Sequence, residues 1–183
     1  MADVARAHFE RTLGPDGHEL SADHGVRILA FADRGRDAVH CVTLGLSDLP
    51  VSAMHPTELI CSVRPEQVEA ARFLLAATVR VAVDGGGVLA LGATIANPTP
   101  LLAGTKICGV LLTAGLFFDD FDLVGGDDDD GDDDDGIVLH VITLVPLTCG
   151  DLDRYATEGR EAVEEAIDDT EVDLLDVTRD DLG

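Results

Sequence analysis

The chain has 183 residues and a formal net charge of −24, which suits one domain with a sizeable core and is short of two ordinary ones. So much negative charge sets aside DNA, RNA and anionic membrane surfaces as partners. With one Tyr, six Phe and no Trp, the chain also lacks an aromatic platform for stacking single-stranded bases.

In chain order, residues 3 to 13 are predicted as a helix, with Ala5, Phe9 and Leu13 on one stripe, ended by Gly14-Pro15-Asp16-Gly17. Val26 to Phe31 reads as a strand, and the turn from Asp33 to Asp37 leads into a second strand, His40 to Leu46, that pairs with it as a hairpin. A loop over 47 to 57 carries Pro50 and Pro56. In the strand 58 to 63, alternation puts Leu59, Cys61 and Val63 on one face and Glu58, Ile60 and Ser62 on the other. Pro65 suits a first helical position, and Val68, Ala71, Leu75, Val79 and Ala82 form one helical stripe. Gly85 to Gly87 ends that helix, because glycine readily takes the positive φ of a C-terminal cap.

Between 88 and 118 short apolar pieces alternate with turns, and Ile107 to Thr113 is the clearest strand among them. Residues 125 to 136 have no apolar side chain and contain eight Asp, a low-complexity acidic loop. Ile137 to Leu147 is almost wholly apolar without alternation, the pattern of a central strand buried on both faces, which implies helices on both faces. Thr148 and Asp151 have N-terminal cap spacing, and Leu152, Tyr155, Ala156, Val163 and Ile167 extend a predicted helix over 150 to 168. Val172 to Val177 is predicted to return to the sheet as a last strand.

The acidity is general: the loop contains eight of the 26 Asp, and a single Lys accompanies eleven Arg. This resembles adaptation to concentrated salt, where a Debye length of roughly 3 Å at 1 M screens self-repulsion. The start of the chain lacks a basic segment followed by an apolar one, and no stretch reaches the roughly 20 apolar residues of a membrane span. A cytoplasmic protein is expected. Cys41, Cys61, Cys108 and Cys149 are far apart in sequence, which suits reduced, mostly buried thiols better than a disulfide framework.

Most motifs of site chemistry fail on spacing. If Gly131 or Gly136 stood at position 6 of a calcium-binding EF-hand loop, position 1 would be Gly126 or Gly131 and position 12 would be Ile137 or Ile142. No Cys-x-x-Cys pair supports zinc, His18 and His24 read as exposed loop residues, and neighbouring His40 and Cys41 point to opposite faces of a strand. His140 reads as a core histidine with its nitrogens satisfied. No Gly-x-Ser-x-Gly surrounds Ser47, and Gly104-Thr105-Lys106 has the phosphate-loop order reversed. Neither metal nor cofactor is expected. Glu58 with Asp48 could form an acid/base pair, but a carboxylate at a strand edge more often meets an arginine such as Arg179.

Four segments in order carry a family resemblance. His40 to Pro50 is an apolar strand opened by a histidine and breaking into Gly45-Leu46-Ser47-Asp48-Leu49. Glu58 to Val63 follows, then the run from Gly136 through Pro146-Leu147-Thr148 into an acidic helix, then Leu175-Asp176-Val177-Thr178-Arg179. Together, over roughly residues 26 to 180, they resemble the suppressor-of-fused domain. The resemblance implies a protein that holds other proteins without catalysing a reaction. In the animal protein two such domains close on an extended peptide that joins as an added strand, and this chain has room for only the first of them. Single-domain microbial relatives are thought to include immunity proteins against toxins. The matching polar residues are His40, Ser47, Asp48, Glu58, Asp176 and Arg179, with a role in fold maintenance or partner binding.

The expected architecture is therefore an α/β sandwich over residues 1 to 183, with a mixed, largely antiparallel sheet and helices on both faces. The expected function is a suppressor-of-fused-type protein-binding module without catalytic residues, an immunity or sequestering protein whose partner is another protein such as a toxin. Its oligomeric state is left open. The alternative is a hydrolase or metal-dependent enzyme using His40, Asp48 and Glu58, which requires those side chains to converge in a pocket.

Overall fold

A computed structural model describes residues 1–52, 54–118, 121–125, 137–169 and 171–182. The acidic loop expected over 125 to 136 lies, apart from Gly125, outside the described residues. The elements in order are α1 (Ala2–Leu13), β1 (His18–Asp23), β2 (Val26–Asp33), β3 (Ala38–Leu44), β4 (Thr57–Val63), α2 (Val68–Gly85), β5 (Thr94–Ala96), β6 (Ile107–Thr113), β7 (Leu123–Gly125), β8 (Ile137–Thr148), α3 (Cys149–Glu158) and α4 (Arg160–Asp169). Short 3-10 helices, Leu46–Asp48 and Pro65–Gln67, follow β3 and precede α2.

The strands form one sheet in the order β1-β2-β3-β4-β8-β6-β5, with β7 added on β8. Among the described residues only β4 and β8 pair in parallel, Thr57 standing opposite His140 and Ile60 opposite Thr143; the other pairs are antiparallel. The predicted mixed, largely antiparallel sheet is therefore present. β8 is central, as its unbroken apolar run required: it borders β4, β6 and β7 and is buried from Val141 to Thr148.

Both faces of the sheet are covered, as predicted. On one, α2 packs Ala71, Leu75 and Val79 against Cys41, Leu59 and Ile142. On the other, α1 packs Ala5 and Phe9 against Leu29, Val42 and Val141, and α4 packs Val163 and Ile167 against Leu111, Val145 and Leu147. Alternation along β8 serves both sides at once, with Ile142 and Leu144 toward α2 and Val141, Val145 and Leu147 toward α1 and α4. Gly86 takes the left-handed conformation at φ 60° and caps α2 as expected.

The structure departs from the sequence reading in four places. His18–Asp23, read as loop, is strand β1; it is an exposed edge strand in which only Leu20 and Ala22 are apolar, so the pattern carried too little signal. The predicted helix over 150 to 168 is two helices, broken at Gly159 with φ 95°. The predicted strand 172 to 177 is a series of turns. There the Asp173 carboxylate accepts the Leu175 N–H and the Asp176 carboxylate accepts the Thr178 N–H, local bonds that compete with a strand ladder.

The cysteines are the fourth departure. Cys108 and Cys149 form a disulfide across 41 residues of sequence: Cys108 is the extra residue of a β-bulge in β6, between Ile107 opposite Thr148 and Gly109 opposite Leu147, and Cys149 directly follows Thr148, so the two Cα atoms lie 5.0 Å apart. Cys41 and Cys61 are free and buried, as expected, and stand directly opposite each other across β3 and β4.

Candidate functional site

Glu58 organises the turn after β3. Its side chain is fully buried and accepts hydrogen bonds from the Thr43 hydroxyl at 2.6 Å, the Ser47 hydroxyl at 2.7 Å, and the Gly45, Ser47 and Leu46 N–H groups at 2.8, 3.1 and 3.3 Å. The chain folds this way because Gly45 adopts φ 103° in the left-handed region, which aims successive N–H groups of the 3-10 helix inward. An added Cβ at Gly45 would also lie 3.1 Å from the Gly25 carbonyl oxygen. Thr43 completes the network by accepting the Leu59 N–H at 2.8 Å. A carboxylate so fully provided with donors is a structural keystone of the Gly45-Leu46-Ser47-Asp48-Leu49 segment.

The residues invoked for catalysis are not brought together. Asp48 points outward, half-exposed, and meets the Met1 ammonium at 3.2 Å. His40 pairs with Ser62 in the β3–β4 ladder, four positions along β4 from Glu58, or roughly 13 Å at 3.3 Å per residue. Its ring bonds Ser62 Oγ at 2.8 Å through Nδ1 and approaches Asp33 at 3.5 Å through Nε2, with the Phe118 ring edge-on against it. Burial lowers the His40 pKa, a trend that the Asp33 carboxylate opposes. The Ser62–His40–Asp33 chain resembles a nucleophile, base and orienting acid, but Ser62 is 2% exposed and His40 1%, so no substrate reaches the hydroxyl. Among the described residues, no group of three or more His, Cys, Asp or Glu could hold a metal ion.

Asp176 and Arg179 hold the C-terminal tail in place. The Asp176 carboxylate accepts from Gln67 and from Thr178, while the Gln67 side-chain amide oxygen accepts the Val177 N–H at 3.0 Å. Arg179 does not meet Glu58, contrary to expectation; its guanidinium donates to Asp151 and to the Pro146 carbonyl, each at 2.8 Å. Glu58 is already saturated by local donors, whereas Asp151 faces the tail that carries Arg179 and also accepts the Leu182 N–H.

One surface feature was not foreseen in the sequence. Met54, Val88, Leu91 and Leu123 are 84%, 57%, 41% and 52% exposed, half of the eight large apolar side chains exposed among the described residues, and all four line one groove. His140 lines it too and is only half-buried, not the core histidine expected. Burial lowers its pKa, Asp122 opposes the shift, and His55 adds to it. Apolar residues in a Gly-flanked loop at 88 to 91 were the available signal, but loop apolars are common and say nothing of one another's position.

Solved structures share this arrangement. A protein of Neisseria gonorrhoeae FA 1090 described as a suppressor-of-fused homologue matches with a TM-score of 0.63 and 14% identity, covering 100% of this chain and 96% of its own. A chain of the Sufu–Fu complex matches with a TM-score of 0.65 and 12% identity, covering 98% of this chain and 90% of that one. Drosophila Suppressor of Fused matches with a TM-score of 0.58 and 14% identity, covering 98% of this chain but 49% of the fly protein. The fold is thus of the suppressor-of-fused class. The family model for Suppressor of fused protein matches residues 22–180, and the chain belongs to that family. No curated protein matches its sequence.

Proposed function

We propose that this chain is a non-catalytic protein-binding module, an immunity or sequestering protein that acts by occupying another protein such as a toxin. The observation that carries the reading is the state of the polar residues matching the family. Glu58 is saturated by five donors, Arg179 is locked against Asp151, and Asp48 stands apart from both at the surface. Residues arranged so maintain a shape, and a maintained shape serves recognition. The similar chain in the Sufu–Fu complex belongs to an assembly with a second protein, which supports the same reading. The single-domain organisation over 1 to 183 and a role for His40, Ser47, Asp48, Glu58, Asp176 and Arg179 in fold maintenance or partner binding are part of this proposal.

Cytoplasmic residence in a salt-accumulating host completes it. No helix among the described residues is long and apolar enough to cross a membrane, and the net charge of −24 favours a medium that screens it. The Cys108–Cys149 disulfide weighs against a reducing compartment.

The test is an affinity capture with tagged full-length protein from host lysate in molar KCl, read by mass spectrometry. One stoichiometric protein partner is expected, and a toxin among its neighbours would establish immunity. No partner for a folded sample, together with turnover in a hydrolase screen abolished by His40→Ala, would overturn the reading in favour of the enzyme.

A further inference from the structure

The groove lined by Met54, Val88, Leu91 and Leu123 is held open by its own backbone. Gly85 to Gly87 ends α2 and releases residues 88 to 91, which are then tied down at both ends: the Leu89 N–H donates to the Val51 carbonyl at 2.7 Å and the Gly92 N–H to the Leu112 carbonyl at 2.6 Å. Leu89 itself is buried in the core beneath, while Val88 before it and Leu91 two residues after it are exposed. The opposite wall is β7, where Leu123 stands across from His140 of β8. The concavity between them measures about 450 Å³. Apolar walls fixed by hydrogen-bonded backbone do not collapse on one another, and clustered exposed apolar residues mark interaction sites more often than scattered ones do.

We infer that this groove is the docking surface, and that it receives a segment of the partner protein with apolar anchors flanked by Lys or Arg. The inference rests on the protein-binding reading above and adds a surface and a chemistry to it. Charge selects the occupant. The lining contains Asp122 and two histidines, His55 and His140, with no Lys or Arg. One oxygen of the Asp122 carboxylate is buried without a hydrogen-bond partner. In sequence, eight Asp separate Gly125 at the end of β7 from Ile137 at the start of β8, the two strands that carry this wall. The described lining thus carries a carboxylate and no Lys or Arg in a chain of net charge −24, a balance that draws in a cationic segment and repels an acidic one. In dilute salt, where the charge is unscreened, a second copy is disfavoured for the same reason, since each chain brings a charge of −24. An enclosed apolar cargo fits poorly, because Met54 and Val88 extend into solvent at the rim.

The probe is a phage-displayed library of random 12-residue peptides, selected against the full chain in dilute and in molar KCl. Enriched peptides are expected to combine two or more Leu, Ile, Phe or Met with neighbouring Lys or Arg. Leu91→Ser and Leu123→Ser should each weaken them at least tenfold, while Phe73→Ser, at an exposed position on α2 away from the groove, should not. Replacing the peptide cations by Gln should weaken binding in dilute salt and much less in molar salt. All the substituted positions are exposed, and circular dichroism checks that each variant folds. The inference is overturned by peptides without this composition, by binding indifferent to both groove substitutions, or by no enrichment. A wild-type dimer in sedimentation that either groove substitution dissolves also overturns it, making the occupant a second copy. A captured partner that binds the groove variants undiminished removes this surface and leaves the protein-binding reading standing, whereas absence of any partner removes that reading itself.

Discussion

The Arg179 guanidinium donates to the Asp151 carboxylate at 2.8 Å, with the two side chains 3% and 0% exposed. Asp151 also accepts the Thr148 N–H at 2.9 Å in a reciprocal cap of α3 and the Leu182 N–H at 2.7 Å. One buried carboxylate therefore anchors the start of α3, the end of β8 and the C-terminal tail. Removing the cation leaves that carboxylate uncompensated, so Arg179→Ala is expected to destabilise the protein by about 3–5 kcal/mol. Adding Asp151→Asn should recover part of the loss, a coupling that a double-mutant cycle in urea would measure. Additive effects of the two substitutions would contradict the pairing.

Glu58 makes a sharper demand on charge than on size. Glu58→Gln keeps the volume but turns an amide NH₂ toward groups that are themselves donors, among them the N–H groups of Gly45 and Ser47. A loss of about 2 kcal/mol or more is expected, seen as a lower urea midpoint with unchanged slope. A neutral outcome would mean that the Thr43 and Ser47 hydroxyls rotate and re-pair without cost. The segment carrying the family resemblance was legible in the sequence because its strand, glycine and short polar turn follow in order. The carboxylate that holds it lies 13 residues beyond Gly45, a partnership no local pattern could report.

The histidines set an acid limit. Burial lowers the pKa of His8, His40 and His140 below the ordinary value of 6.5, so the unfolded chain takes up protons that the native state resists. The sign follows: stability is full above about pH 7 and falls as pH drops through 6.5, by up to about 1.4 kcal/mol per pH unit for each histidine kept neutral. Asp33 is not the cause in this range. Burial alone would raise its pKa, but hydrogen bonds from Arg36, His40 and Gly35 outweigh that and bring it down to about 2, so its contribution disappears only as pH falls below the ordinary value of 3.8. Urea midpoints from pH 7.5 to 5.5 at fixed molar KCl are the measurement. His40→Asn is expected to flatten the decline, and a flat wild-type profile would refute it.

The four cysteines should fall into two classes. Burial raises the Cys41 thiol to about 12 and the Cys61 thiol higher still, so neither should react with iodoacetamide in the native protein at pH 8. Denaturation without reductant should expose two reactive thiols, and denaturation with it four. Reducing the Cys108–Cys149 bond opens a loop of 41 residues, which loop-closure entropy values at about 4 kcal/mol. Four reactive thiols after acid trapping of intact host cells would show that the bond does not form there, in keeping with a reducing cytoplasm.

By itself the sequence determined the elements whose periodicity is internal to them. The stripe from Val68 to Ala82, the alternation over Leu59, Cys61 and Val63, and the unbroken apolar run of β8 each follow from how a helix or strand meets a core. From the last came helices on both faces of the sheet. Tertiary structure alone decided what depends on residues far apart in the chain: the pairing of Arg179 with Asp151 in place of Glu58, the Cys108–Cys149 bond, and the gathering of Met54, Val88, Leu91 and Leu123 into one groove. The physical reason is one of range. Backbone propensity and side-chain periodicity act over a few residues and are written locally, whereas ion pairing, disulfide formation and surface clustering depend on sheet register and helix docking, which are fixed only when the whole core closes.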